Sequence, residues 1–279
     1  MNPVSDTAYY CTGVRMLEAR KPNPACNDTY AARFMDDRGL KILDQFKKFT
    51  FSNTNNAVRH RIIDDLVEDA VQKNSKLPIF LIGAGFDSRA YRMTGGNWIE
   101  IDEPQIINIK NEKLPISECN NPLQRLAIDF SKEALLDKLT PYTTESPSLI
   151  IIEGVFMYLN EECIENLLTT LKKLFPSHHI FCDLMTEKFF HRHGKRLHHK
   201  LRDMNAEFRY TRNHPESLFI DQDYTFVKKS PITKRSIELK AIPSVPTLLL
   251  NTVLRTLRDG YSVYEFEYRA PLAHLSQQQ

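Results

Sequence analysis

The strongest constraint in the sequence is a series of short apolar bursts, each too short for a helix and most ending on glycine or a carboxylate. They are Ile79-Phe80-Leu81-Ile82 before Gly83, Trp98-Ile99-Glu100-Ile101-Asp102, Leu126-Ala127-Ile128-Asp129, and Leu149-Ile150-Ile151-Ile152 before Glu153-Gly154. His179 to Leu184 makes a fifth. Amphipathic stretches separate them. Ile62, Ile63, Leu66, Val67, Ala70 and Val71 follow helical spacing, so Arg59 to Lys73 is predicted to be a helix with Asp64, Asp65, Glu68 and Asp69 towards water. Pro104 to about Lys113, and Ile164 to Leu174, read as further helices. Apolar bursts alternating with amphipathic helices predict βαβ units, hence a parallel sheet covered on both faces.

The flanks read differently. The first fifty residues are polar, with a proline-broken stretch at Lys21 to Pro24, and suggest short helices that pack on something else. Tyr224 to Lys240 mixes β-branched and polar residues, and Pro246 to Arg258 resembles a helix. Tyr261 to Tyr268 alternates, with Tyr264, Phe266 and Tyr268 on one side, as an antiparallel strand would. No repeat or Gly/Ser-rich linker divides the 279 residues, so one domain is expected over 1–279, with an N-terminal helical segment (1–55).

Charge excludes little. Thirty-seven Lys+Arg against 35 Asp+Glu leave +2, too little to argue for nucleic acid or an anionic membrane as partner. Five scattered cysteines without metal spacing read as thiols of a reducing compartment. The opening residues lack the basic and apolar regions of a signal peptide, and the longest apolar run, Leu149 to Met157, is interrupted by Glu153. A cytoplasmic protein without membrane span is the expectation.

Four of the nine glycines fall between positions 83 and 96. Gly83 and Gly85, between a strand and a helix, let backbone N–H groups meet an anionic or polar ligand, or simply make a tight turn. Position 88 is serine, so the dinucleotide pattern G-x-G-x-x-G is incomplete, which weakens a nicotinamide oxidoreductase reading. Asp102, at the end of the next strand, can accept both hydroxyl hydrogens of a ribose. Glu100, two residues earlier on the same side, competes for that role.

In order along residues 5 to 160, the chain carries Ser5-Asp6-Thr7-Ala8, Arg59-His60-Arg61-Ile62-Ile63-Asp64-Asp65, Leu81-Ile82-Gly83-Ala84-Gly85-Phe86-Asp87-Ser88-Arg89-Ala90-Tyr91-Arg92, Glu100-Ile101-Asp102-Glu103-Pro104, Lys110, and Glu153-Gly154-Val155-Phe156-Met157-Tyr158-Leu159. This ordered set resembles the leucine carboxyl methyltransferase family. That family is a branch of the class I S-adenosyl-L-methionine (SAM) methyltransferases, and it includes bacterial small-molecule O-methyltransferases. The resemblance implies a Rossmann-like α/β fold with a mostly parallel seven-stranded sheet, an N-terminal helical extension and a helical lid inserted at about 187–220. It implies SAM as methyl donor and S-adenosyl-L-homocysteine as product.

By position, the resemblance implies that Arg59 pairs with the carboxylate of SAM's methionine end and that Gly83 and Gly85 pass beside it. Asp102 would hold the ribose. Asp129 would accept from the adenine amino group while Phe130 covers its face, and Glu153 would sit by the ammonium or sulfonium. Each has a plainer alternative: a solvated helix charge for Arg59, an exposed strand-end acid for Glu153. Tyr158 faces either the acceptor pocket or the core, and Arg15 is a further candidate against the cofactor. Asp87 and Arg89 could pair locally to fix the turn, with Asp64 in a similar structural role. No catalytic base and no metal site is legible.

The implied reaction is methyl transfer to a carboxylate or acidic hydroxyl of a small molecule, an anionic one included, with oligomeric state open. Asp129-Phe130-Ser131 lacks the arginine that phosphatase-methylating members carry after this pair, which speaks against a protein C-terminal carboxylate as acceptor. A catalytically inactive SAM-binding interaction protein is the remaining alternative. Lys188 to Arg202 (KFFHRHGKRLHHKLR) contains six Lys/Arg and four His. It reads as a solvated basic face, an attractor of anions or partners, a pH-responsive segment, or, through His191, His193, His198 and His199, a metal site. Phe189, Phe190, Leu197 and Leu201 could supply an apolar wall to the cleft.

Overall fold

The structure, a computed structural model, describes residues 3–204 and 206–271. Seven strands form one sheet: β1 (Pro78–Ile82), β2 (Asn97–Asp102), β3 (Leu123–Ala127), β4 (Ser148–Ile152), β5 (Ser177–Met185), β6 (Thr225–Pro231) and β7 (Tyr261–Arg269), in the order β3-β2-β1-β4-β5-β7-β6. The pairings among β1 to β5 are parallel, and β7 runs antiparallel between β5 and β6. Strand order reverses between β1 and β4, and in open α/β sheets the crevice beyond the strands' carboxyl ends at such a switch point holds ligands.

The helices are α1 (Pro3–Ala19), α2 (Asp37–Phe46), α3 (Thr50–Lys73), α4 (Arg89–Arg92), α5 (Pro104–Lys113), α6 (Leu135–Leu139) and α7 (Glu161–Leu174). After β5 come α8 (Glu187–Phe189), a π-helical turn over Phe190–Gly194, α9 (Lys195–Arg202) and α10 (Ser217–Asp221). Then follow α11 (Ile232–Glu238), α12 (Thr247–Asn251) and α13 (Arg255–Asp259). Both sheet faces are buried, which explains the uninterrupted apolar bursts. Ile79, Leu81, Leu149 and Ile151 point into a core shared with α1, α2 and α3, whereas Phe80, Ile82, Ile150 and Ile152 point into a second core with α7. Tyr264 and Phe266 join the second core, with Tyr268 against it, as the alternation of β7 required.

Three local expectations change, and one unassigned stretch resolves. Asp64 is buried rather than solvated, because Arg89 and Arg92 of α4 reach its carboxylate. The third strand lies earlier than its apolar burst: Leu123 pairs with Trp98 and Ala127 with Asp102, leaving Asp129 in the turn beyond. The 224–240 stretch is a strand only to Pro231, after which Ile232 turns inward and starts α11. The 246–258 stretch breaks at Thr252 into two short helices. Among the described residues, no helix is long and apolar enough to cross a membrane.

Candidate functional site

The turn after β1 is built on backbone that only glycine adopts cheaply. Gly83 has φ +70° and Gly85 φ +47°. The Gly83 and Ala84 amides donate to the Ile101 carbonyl at 2.9 and 3.1 Å, tying the turn to the end of β2. A Cβ on Gly83 would stand 2.5 Å from Val155 Cγ2, so the turn and the segment after β4 are in contact. Asp102 completes the corner. Its Oδ2 accepts from the Gly85 amide at 2.6 Å and its Oδ1 from the Glu103 amide at 2.7 Å. Burial raises the Asp102 pKa, and those two N–H bonds oppose the rise. A carboxylate has about four acceptor positions, so capacity remains on both oxygens. Glu100 is held instead by Arg125 and Lys110, both at 2.9 Å, which leaves Asp102 as the strand-end acid at the cavity.

Behind the turn lies a buried ionic network. Fully buried Arg89 donates from Nε to Asp64 at 2.6 Å, from Nη1 to Asp87 at 2.5 Å and from Nη2 to Glu153 at 2.8 Å. Arg59 donates from Nε to Glu153 at 3.0 Å and from Nη1 to Asp183 at 3.2 Å and to the Tyr261 hydroxyl at 2.8 Å. Its guanidinium also lies against Gly154, where a Cβ would come within 3.1 Å of Nη2. His60 Nδ1 stands 3.1 Å from Glu153 Oε2. Burial would push the Glu153 pKa up, but Arg89, His60 and Arg59 hold it well below the usual carboxylate range. Likewise Asp28, buried yet beside Arg15 and Arg92, is held down at about 2. Donor atoms of His60, Asp87 and Glu153 converge within 4.8 Å of one another, but the Arg89 guanidinium already supplies the cation there.

These groups border a cavity of about 630 Å³, within the range of small-molecule sites. Arg59, Gly83, Gly85, Asp102, Phe130, Glu153 and Tyr158 line it together. Asp129 is not among the lining residues: its carboxylate accepts from the Ser131 amide and hydroxyl and from Lys132 at 2.7 Å. Arg15 also lines the cavity, but its Nε is bound to Asp28 at 2.8 Å and its Nη2 to the Phe86 carbonyl at 2.9 Å, so it joins α1 to the turn. Tyr158 packs edge-on against Phe208, with ring centroids 5.4 Å apart. Phe189, His193, Gly194, Leu197 and Leu201 of the 187–202 segment close one side, while Phe190 is not a lining residue. The Lys and Arg side chains of that segment do not line the cavity, which matches a solvated basic face.

Sequence reasoning missed Phe51, Ser52, Asn55 and Asn56, which also line the cavity. With Arg59 they form a stripe at helical spacing along α3, so the signal was the continuation of the Arg59 face one and two turns earlier. Tyr261 and Asp183, which orient Arg59, lie 202 and 124 residues from it, and no local pattern links them.

The sequence profile of the leucine carboxyl methyltransferase family matches residues 8–172. A relative from Mycolicibacterium paratuberculosis, provisionally named an S-adenosyl-L-methionine-dependent methyltransferase, is 29% identical over 194 residues, 61% of this chain and 62% of the relative. A similarly named protein from Parafrankia sp. is 31% identical over 188 residues, 61% of this chain and 59% of that one. The matched region thus spans about three-fifths of these relatives. A DUF574 family protein from Streptomyces avermitilis superposes with a TM-score of 0.57 at 12% identity, covering 87% of this chain and 95% of that one. An O-methyltransferase family protein from Burkholderia thailandensis gives 0.51 at 10% identity, covering 86% and 62%. These structural likenesses concern the fold. The profile spans more than half of the sequence, including the glycine turn and the acids that end β2 and β4, and on that ground the chain belongs to the leucine carboxyl methyltransferase family.

Proposed function

We infer that this protein transfers a methyl group from SAM to an oxygen, of a carboxylate or an acidic hydroxyl, on a small molecule. The observation that carries this reading is the meeting of the Gly83–Gly85 turn, Asp102 and Arg59 around one cavity. The residues suit the donor's chemistry. Of the lining carboxylates, Asp87 and Glu153 are paired with Arg89 and Glu133 with Lys138, whereas Asp102 is held by backbone amides and keeps acceptor capacity for a nucleoside's hydroxyls. Asp102 would accept the ribose hydroxyls, Phe130 would cover the base, and Arg59, oriented by Glu153 and Asp183, would face the methionine carboxylate. Asp129 would reach the base only by exchanging Lys132.

Bound there, SAM would supply a methyl already activated by its sulfonium. The chain's contribution is alignment, which can provide about 7–11 kcal/mol of a barrier. A carboxylate acceptor is anionic at neutral pH and needs no base. A hydroxyl acceptor benefits from one, and His193 is the one imidazole among the described lining residues. The 187–202 segment would act as the lid over the acceptor.

Calorimetry with S-adenosyl-L-homocysteine tests the reading: saturable binding at one site is expected, weakened strongly in Arg59→Ala. A melting temperature raised by NAD and not by S-adenosyl-L-homocysteine would replace it with an oxidoreductase.

A further inference from the structure

The segment after β5 lays a row of side chains along the cavity. Phe189, His193, Leu197 and Leu201 stand four residues apart, and all four line it. At 3.6 residues per turn such a row drifts by about 40° at each step, so a plain α-helix would carry one end away from the cavity. The Phe190–Gly194 turn is π-helical, and its wider i→i+5 winding offsets the drift at the step that ends on His193. His193 is the one polar member of this apolar row. Phe189 and Phe51 of α3 flank its imidazole, with ring centroids 5.2 and 6.3 Å away.

A histidine in an apolar wall is ordinarily tied by its nitrogens, as His178 is by the Phe175 carbonyl and the Tyr224 hydroxyl. His193 differs. Among the described residues neither of its ring nitrogens has a hydrogen-bond or ion-pair partner, and the half-buried ring stays open on the cavity. The flanking phenyl rings bring no titratable group, and Arg192 is the charged residue that acts on the imidazole. Burial and that arginine lower its pKa, so the ring is neutral at pH 7 and offers an acceptor nitrogen.

The cavity's cations are otherwise engaged. Among the described lining residues they are Arg15 and Arg59, bound to Asp28 and to Glu153 and Asp183 respectively. A carboxylate acceptor would meet no unpaired side-chain cation there and would bring no proton for the open nitrogen. A hydroxyl brings that proton.

We propose that His193 is the general base of the transfer and takes its proton from a hydroxyl on a ring-sized, largely apolar acceptor. The inference rests on the methyl-transfer reading and narrows its acceptor. A lone pair of the hydroxyl oxygen forms the new O–C bond as the S–C bond breaks, and that bonding pair stays on sulfur as a neutral thioether. The proton moves to a His193 nitrogen, the O–H pair remains on oxygen, and the imidazolium afterwards releases the proton to water.

The test gives the full chain SAM labelled in its methyl group and two probes on one scaffold, 2-naphthol and 2-naphthoate. Transfer to naphthol is expected, with kcat level at neutral pH and falling only below pH 6.5 as the ring protonates. General-base help is typically worth about 10²–10⁴-fold, so His193→Phe, which keeps an aromatic ring in the wall, should lower kcat at least about 100-fold. Its S-adenosyl-L-homocysteine Kd should not change. In His193→Ala, added imidazole should restore part of the rate in proportion to its free-base form, which a merely structural side chain would not allow. A readout without turnover is the fluorescence of 2-naphthol, a strong acid when excited, bound to the S-adenosyl-L-homocysteine complex. Naphtholate emission is expected from wild type and naphthol emission from His193→Phe. Faster transfer to naphthoate, no transfer to naphthol, an unchanged kcat or emission in His193→Phe, or an alanine variant unresponsive to imidazole would overturn the proposal. Wild-type protein that binds no S-adenosyl-L-homocysteine would instead sink the underlying methyl-transfer reading.

Discussion

Arg89 has no solvent exposure and holds three carboxylates, so its removal leaves Asp64, Asp87 and Glu153 short of a cation in a dry environment. Breaking a buried pair from one side typically costs about 3–5 kcal/mol. Arg89→Met is therefore expected to lower unfolding free energy by about that amount in urea titration. The glycines make a sharper contrast. Gly83→Ala would combine a left-handed backbone with a Cβ 2.5 Å from Val155 Cγ2, whereas the Cβ of Gly85→Ala would meet only Ala8 Cβ at 3.6 Å. Left-handed backbone costs a residue with Cβ roughly 1–2 kcal/mol, so both variants lose stability and Gly83→Ala loses more. Equal denaturation midpoints would mean that Val155 moves aside. Among the residues that line the cavity, Arg59, Gly83, Gly85, Asp102, Phe130, Glu153 and Tyr158 were legible in the sequence as candidates because each stands in a motif or near a strand end. Asn55, Asn56 and His193 were not, because an Asn pair in a polar stretch and a His in a basic one look like solvent-facing side chains until the fold buries them.

At the scale of elements, β1 and β4 were read within a residue because both sheet faces are buried there and each is an unbroken apolar run. The weaker predictions fell at the edge, where β6 is solvent-exposed and its sequence is accordingly mixed. His178 shows how one element is fixed. Buried at the start of β5, it has Nδ1 2.6 Å from the Phe175 carbonyl after α7 and Nε2 2.9 Å from the Tyr224 hydroxyl before β6. Burial lowers its pKa from the ordinary 6.5 to about 4. The unfolded chain therefore takes up a proton that the folded chain refuses. The resulting stability is present above pH 6.5 and is lost as pH falls towards and through 4, by about 3 kcal/mol in total. His178→Gln should flatten the stability profile between pH 6.5 and 4 while leaving the further decline below pH 4, where Glu153, Asp64 and Asp28 protonate. Superimposable wild-type and variant profiles would locate that titration elsewhere.

Across the whole molecule, the cavity wall is assembled from distant pieces: Thr7, Ala8 and Cys11 from α1, the α3 stripe, the carboxyl ends of β1, β2, β4 and β5, the start of β7, and residues of the 189–201 segment. A ligand that fills it should tie these pieces together. S-adenosyl-L-homocysteine at about 100 times its Kd is expected to add about 2.7 kcal/mol to unfolding free energy. Amide exchange should slow in α1 and around Gly83 to Gly85 at the same ligand concentration. Protection confined to one of the two segments would show that they do not share the ligand. By itself, the sequence determined the parallel sheet, the glycine turn and the acids at the ends of β2 and β4, because burial on two faces, positive φ and strand termination are local demands that residue types meet one by one. Only the tertiary structure decided which of two acids, Glu100 or Asp102, meets the cavity, which arginines are already spent on carboxylates, and which histidine stands in the cavity wall. Those outcomes depend on partners up to 202 residues away, and electrostatic compensation is a property of neighbours in space, which adjacency in the chain does not encode.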